Sequence, residues 1–366
     1  MRSLFSPWSL GPIELKNRLV RSATVEGLST EDGAPTQRLI DITTELARGG
    51  VGLIIAGTAY ISREGQADKN ATGLDHDGLI PPLGRLCRSV ESAGGILAAQ
   101  LLHCGSTMSA EFLKRREVIY GPSDGMDPVS HAPVTALDKP RILKIITDYG
   151  DAARRAKAAG FHAVQIHAAH GYLINQFLSP SRNQRTDEYG GSVHYRGRIL
   201  YQVVEEIRGE VGPDFPILVK LSGHDGFPGG VLPDHAATIA AGLDTLGIDA
   251  VEVSAGTPEG AAAGGWDHII PAPFAQGSFF DYARGIKDRV NCPVITVEGW
   301  RDPRKINAAL DHMDAVSMSR PFIREPHLAN RWKSGDLTTA TCVSCNKCLD
   351  LIGRSGLGCI FHQKNK

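Results

Sequence analysis

The chain has 366 residues, 42% of them hydrophobic and 22% charged, with 39 Lys and Arg against 40 Asp and Glu for a net charge of −1. That is an ordinary globular composition, and with neither an excess of positive charge nor a basic stripe it excludes nucleic acid as an expected partner. The opening MRSLFSPWSLGPIELKNR lacks a signal peptide's apolar run, and the most apolar stretches, such as Val51 to Ala56, are far too short to span a membrane. A cytoplasmic protein without a membrane partner is expected; homo-oligomerisation stays open.

Short apolar, β-branched runs alternate with longer amphipathic or Ala-rich stretches. A strand over Arg18 to Thr24 is followed by a helix over Thr36 to Arg48. Leu53 to Thr58 and Pro82 to Ala93 form the next pair, and Ile96 to Leu102 and Ile142 to Ala159 the third. Then come Ala163 to His167 with Arg196 to Val211, and Ile217 to Leu221 with Asp234 to Leu246. Ala250 to Ser254 precedes Phe279 to Val290, Val294 to Val297 precedes Pro303 to His312, and Ala315 to Met318 is the eighth strand. Eight strands alternating with helices predict a (β/α)8 TIM barrel. An open doubly wound sheet would carry a Gly-rich phosphate turn after its first strand, and none is there. The barrel is expected over 1–328, with a cysteine-rich tail over 329–366. The stretch from Cys104 to Lys139, rich in Pro, Ser and charge, reads as a lid or binding loop.

The active site of such a barrel lies at the C-terminal ends of its strands. Standing there are Ala23, Thr24 and Val25, Gly57 and Thr58, Gln100 and His103, and His167 with His170 and Tyr172. Lys220, Ser254, Gly299, and Ser319 with Arg320 complete the set. His167 and His170, three apart in a strand-to-helix turn, can face one point and polarise a carbonyl oxygen; a zinc pair or structural histidines are the bland alternative. Tyr172 offers a phenolic proton, or mere packing. Lys220 is a cation for an anionic ligand or one half of a barrel-mouth salt bridge, and Gly299 allows close backbone approach in the loops that usually bind phosphate.

The segment IHAAHGYLINQFLSPSRNQRTDEYGGS, Ile166 to Ser192, resembles the signature of old yellow enzymes and 2,4-dienoyl-CoA reductases. Asn17-Arg18, AAQLLHCG, AGFHAVQIH and SMSRPFIREP agree with that family in order, so the resemblance covers nearly the whole chain. It implies FMN as cofactor, NAD(P)H as reductant and a small-molecule substrate. It places Lys220 and Gln100 at the flavin's pyrimidine edge, Thr24, Gly57 and Thr58 along the ring, and Gly299, Ser319 and Arg320 at the phosphate, with Ala23, Val25 and Ser254 also among the cofactor-binding residues. It makes His167, His170 and Tyr172 catalytic in ping-pong hydride transfer to an activated C=C bond. Two departures stand out. Val25 replaces the cysteine that some relatives carry near the flavin, and Ser106 replaces an Arg, which removes any salt bridge carried over from it.

The tail reads CVSCNKCLDLIGRSGLGC. Cys342, Cys345, Cys348 and Cys359 resemble the [4Fe–4S] motif of trimethylamine dehydrogenase and dienoyl-CoA reductase, although two residues rather than three separate Cys345 from Cys348. Zinc or free thiols remain alternatives. With a cluster, the chain is instead an oxidative FMN dehydrogenase of an amine or alicyclic alcohol; a flavin-binding electron-transfer subunit and a flavin-free Schiff-base barrel using Lys220 complete the field. Cys87, Cys104 and Cys292 are expected to be packing residues.

Overall fold

The computed structural model describes residues 2–265 and 276–363; the last three residues of the expected tail lie outside the described residues. All eight expected strands form, and every pairing between them is parallel. They run Leu19–Arg21, Leu53–Tyr60, Leu97–Leu102, Ala163–Ala168, Ile217–Ser222, Ala250–Ser254, Val294–Thr296 and Ala315–Met318, and the eighth pairs with the first to close the barrel. Seven intervening helices lie within three residues of their expected ends. Their starts are chemically marked: Thr36, Asp138 and Ser192 accept the otherwise orphaned amides of Leu39, Arg141 and Tyr195. Gly160, at φ +97°, ends the longest of them in the left-handed conformation.

An antiparallel hairpin, Trp8–Leu10 with Ile13–Leu15, was not expected from the sequence. Its buried Trp8, Leu10 and Leu15 pack with Val20, Leu53, Ala98, Ala163, Leu218, Ala250, Ile295 and Ala315. These residues make an apolar floor inside the barrel. Two residues further along the same strands, on the same inward face, stand Ser22, Gln100, Gln165, Lys220, Glu252 and Ser317, all buried. The interior is therefore apolar below and polar above, and the polar layer supports the mouth.

The loop after the third strand holds a helical turn, Ala110–Leu113, and a small sheet of Tyr120–Gly121, Gly125–Met126 and Pro133–Ala136. The helix Leu328–Lys333 runs across the expected domain boundary and buries Trp332. Beyond it, Leu349–Ser355 and Ile360–Gln363 fold back over the barrel. No described helix is long and apolar enough to cross a membrane.

Candidate active site

A cavity of about 620 Å³ opens at the C-terminal ends of the strands, within the size range of cofactor and ligand sites. Ala23, Thr24, Val25, Thr58, Gln100, His167, His170, Tyr172, Lys220, Ser254, Ser319 and Arg320 line it, so twelve of the expected residues from seven strand ends meet there. Gly57 lies behind the wall, where a Cβ would collide with the Glu26 carboxylate and the Thr24 carbonyl. Gly299 sits at φ +74° next to Glu298 at φ +94°, and it is Glu298 that lines the cavity. His103 is buried beneath the loop, its Nδ1 accepting from the Gly105 amide, and burial pushes its pKa down to about 3. Cys87, Cys104 and Cys292 are buried.

The histidine turn is held from below. His170 and Gly171 both have positive φ, +62° and +79°. The Gly171 amide donates to Asn175 Oδ1 at 2.7 Å, and Asn175 Nδ2 donates to Asp225 Oδ1 at 3.0 Å. Asp225 is buried, and burial pushes its pKa up to about 6. Thr107 and Gln176 both donate to the Gly171 carbonyl at 2.7 Å. On this support the His167 ring centroid stands 5.0 Å from that of His170 and 5.0 Å from that of Tyr172, both edge-to-face. The Ala169 amide donates to His167 Nδ1 at 3.3 Å, which puts the proton of the neutral ring on Nε2. His170 Nε2 lies 2.7 Å from Ser254 Oγ.

Lys220 forms the barrel-mouth salt bridge weighed for it and also lines the cavity: its Nζ lies 3.3 Å from Glu252 and donates to Ser22 Oγ at 2.9 Å. Glu252 also accepts from Ser22, Ser317 and Gln165. Burial pushes its carboxyl up, but Lys220 and these donors outweigh it and hold the group below its ordinary value. Because a carboxylate can only accept, Gln165 must present its Nε2 to Glu252, at 2.9 Å. Its Oε1 therefore faces Gln100 Nε2, 2.6 Å away. The amide orientation at the cavity wall is thus set by a carboxylate three strands further round the barrel.

Where the resemblance put Arg at 106, Ser106 donates to Asp127, and Arg182 from the signature segment supplies the cation to Asp127 at 2.7 Å and to Glu259 at 3.6 Å. This network ties the long loop to the segment after the helix Leu173–Leu178 and to the loop after the sixth strand. Arg320 forms an ion pair with Glu298 and donates to Asn346 Oδ1 at 2.7 Å. Asn346 belongs to the tail, whose Cys348, Leu349, Ile352 and Leu357 also line the cavity. Cys342, Cys345, Cys348 and Cys359 line one small neighbouring hollow with Arg320 and Arg324, and left-handed Ser344 and Asn346 flank Cys345. Burial pushes the Cys342 and Cys348 thiols up. Among the described residues no three His, Cys, Asp or Glu side chains stand at metal-binding spacing.

Sequence reasoning missed the tail residues, Glu298, and Asp68, Lys69, Asn70, Ser109 and Glu111 at the rim. It also missed Ser22, Gln165, Glu252 and Ser317. Their signal was legible: each is a polar residue in or just after a barrel strand, two positions before a mouth residue.

The model of the NADH:flavin oxidoreductase / NADH oxidase family matches residues 3–338. The chain is 34% identical over 362 residues to the metal reductase of Desulforamulus reducens, covering 97% of this chain and 52% of that protein. It is 36% identical over 334 residues to the NADPH dehydrogenase of Bacillus licheniformis, covering 89% and 92%. Among solved structures, the old yellow enzyme homologue from Zymomonas mobilis matches with a TM-score of 0.78 at 30% identity, over 93% of this chain and 96% of that one. The chain spans about half the length of several of the curated relatives it matches.

Proposed function

Since the chain belongs to the NADH:flavin oxidoreductase / NADH oxidase family, we propose that it is an FMN-dependent oxidoreductase that uses NAD(P)H to reduce an activated C=C bond in a small molecule. The observation that carries this reading is the meeting of His167, His170 and Tyr172 with Lys220 and Gln100 around one cavity. The donor set fits a flavin. Lys220 offers positive charge to an electron-rich ring, Gln100 an amide edge, and Arg320 a guanidinium fork for a phosphate once Glu298 yields it. FMN, when bound, supplies two-electron hydride chemistry.

The residues of the chain do the rest. His167 and His170 hold the carbonyl oxygen of the substrate, drawing charge away from the C=C bond. The Tyr172 phenol donates a proton at the α-carbon. The tail residues Leu349, Ile352 and Leu357 narrow the mouth and exclude water. Anaerobic mixing tests the reading: NAD(P)H should bleach the flavin absorbance of the purified protein, and an enone should restore it. Colourless protein, or a bleached flavin indifferent to enones, would refute it.

A second reading starts from the four tail cysteines, which line one hollow beside Arg320 although, among the described residues, no three of them stand at metal-binding spacing. Loaded with a [4Fe–4S] cluster, that hollow would serve an oxidative dehydrogenase of amines or alicyclic alcohols. Anaerobic reconstitution decides it. Iron and sulfide that disappear in Cys345→Ser, with flavin retained, support the cluster; protein with neither iron nor zinc removes it.

A further inference from the structure

Beside the mouth lies a second hollow, of about 270 Å³, lined by Arg63, Lys69, Arg115, Arg116, Phe112 and Glu31 among others. It is built from the loops after the first and second strands and from the helical turn Ala110–Leu113 with the residues that follow it. Lys69 lines both this hollow and the main cavity, so the two meet at that residue.

The cations there are not equivalent. Arg63 is paired with Asp75 at 3.1 Å, and Arg115 with Glu111 and, at 3.9 Å, with Glu31. Arg116 spends one nitrogen on the backbone carbonyls of Arg63 and Gln66, at 2.7 and 3.2 Å. Among the described residues neither Arg116 nor Lys69 has a carboxylate at ion-pair distance. Two uncompensated cations therefore face a hollow whose other lining includes an aromatic ring, with the Arg115 guanidinium 5.2 Å over the Phe112 centroid. Cations in a concave wall concentrate anions, a guanidinium fork matches a phosphate, and an aromatic–guanidinium surface stacks a nucleobase.

We propose that this hollow binds the adenosine phosphomonoester end of a ligand whose reactive end lies in the barrel, with Lys69 and Arg116 engaging the ribose phosphate. That group is carried by the 2′-phosphate of NADPH and by the 3′-phosphate of a coenzyme A thioester. The inference rests on the reading of the main cavity as a hydride-transfer site, but its binding test does not.

The test is calorimetric titration of the flavin-loaded protein with 2′,5′-adenosine bisphosphate, 3′,5′-adenosine bisphosphate and 5′-AMP, in the wild type, Lys69→Gln, Arg116→Gln and the double variant. One bisphosphate should bind about tenfold or more tighter than AMP, and the double variant should abolish that difference while leaving AMP binding unchanged. Preference for the 2′,5′ isomer names the nicotinamide cofactor as source, and preference for the 3′,5′ isomer names the thioester. Equal binding of all three nucleotides by the wild type, or a preference that survives in the double variant, overturns the proposal. A bisphosphate preference in protein whose flavin no nicotinamide reduces would keep this site and reject the proposed reaction instead.

Discussion

Lys220→Met gives the sharpest test of the barrel interior. The substitution keeps most of the side chain's volume and removes its charge, leaving Glu252 fully buried without the cation 3.3 Å away. At an effective dielectric constant of about 20, that separation corresponds to roughly 5 kcal/mol of attraction. Breaking a buried pair by deleting one partner typically costs about 3–5 kcal/mol. A chain of 366 residues shifts in Tm by roughly 1.3 °C per kcal/mol, so Lys220→Met should lower the Tm of flavin-free protein by about 4–7 °C. The double variant Lys220→Met/Glu252→Gln should regain most of that loss, because no net charge is then buried. Differential scanning calorimetry at neutral pH measures both. The wild-type pair also sets an acid limit. The folded-state pKa of Glu252 is depressed, so its contribution is present above the unfolded value and is lost as the pH falls through the folded one. Should the single and double variants melt together, charge pairing does not hold this layer and the argument from Coulomb energy fails.

Tyr172→Phe keeps the ring and removes the acidic proton; it should leave flavin reduction by NAD(P)H nearly unchanged and slow reoxidation by an enone by roughly 10²–10⁴-fold in stopped flow. Equal slowing of both half-reactions would point to a displaced flavin. Glu298→Gln removes the carboxylate charge that pairs with Arg320 and should tighten FMN about tenfold by fluorescence titration, with riboflavin unaffected because it has no phosphate to engage the guanidinium. Glu26 has its pKa raised from 4.5 to about 7, chiefly by burial, so its contribution to stability is complete below 4.5 and is lost as the pH rises to 7. That component is worth roughly 3 kcal/mol. Chemical denaturation across this window should show the decline in the wild type and its absence in Glu26→Gln.

The barrel was legible because most strands are short apolar runs, several of them β-branched, between turn residues, and because helix starts such as Thr36 and Asp138 have capping chemistry. Much of the mouth was legible too, since the last residues of parallel strands must converge. Other features were hidden for physical reasons. The three-residue strands Trp8–Leu10 and Ile13–Leu15 are too short for a period to show, and only their burial under the barrel defines them. Glu298 and Gly299 are neighbours with the same handedness, and the sequence favours the glycine as the functional one; the structure turns the glutamate to the cavity. The contribution of the tail depends on long-range packing, such as the Leu357 amide on the Glu26 carbonyl and Ile352 against Gly27, for which local sequence has no signature.

The row from Glu252 through Gln165 to Gln100 has a consequence for anyone who wishes to alter what this barrel accepts. Neither Gln165 nor Glu252 is among the residues lining the cavity, so a library confined to contact positions would leave both untouched. Yet an uncharged partner at 252 would let Gln165 turn over, and Gln100 would then turn as well, exchanging the donor and acceptor it shows to a bound molecule. One substitution deep in the scaffold could rewrite the code displayed at the entrance while every wall residue stayed the same. Drift in cofactor or inhibitor preference among variants of this protein should therefore be sought in the interior as well as on the surface that ligands touch.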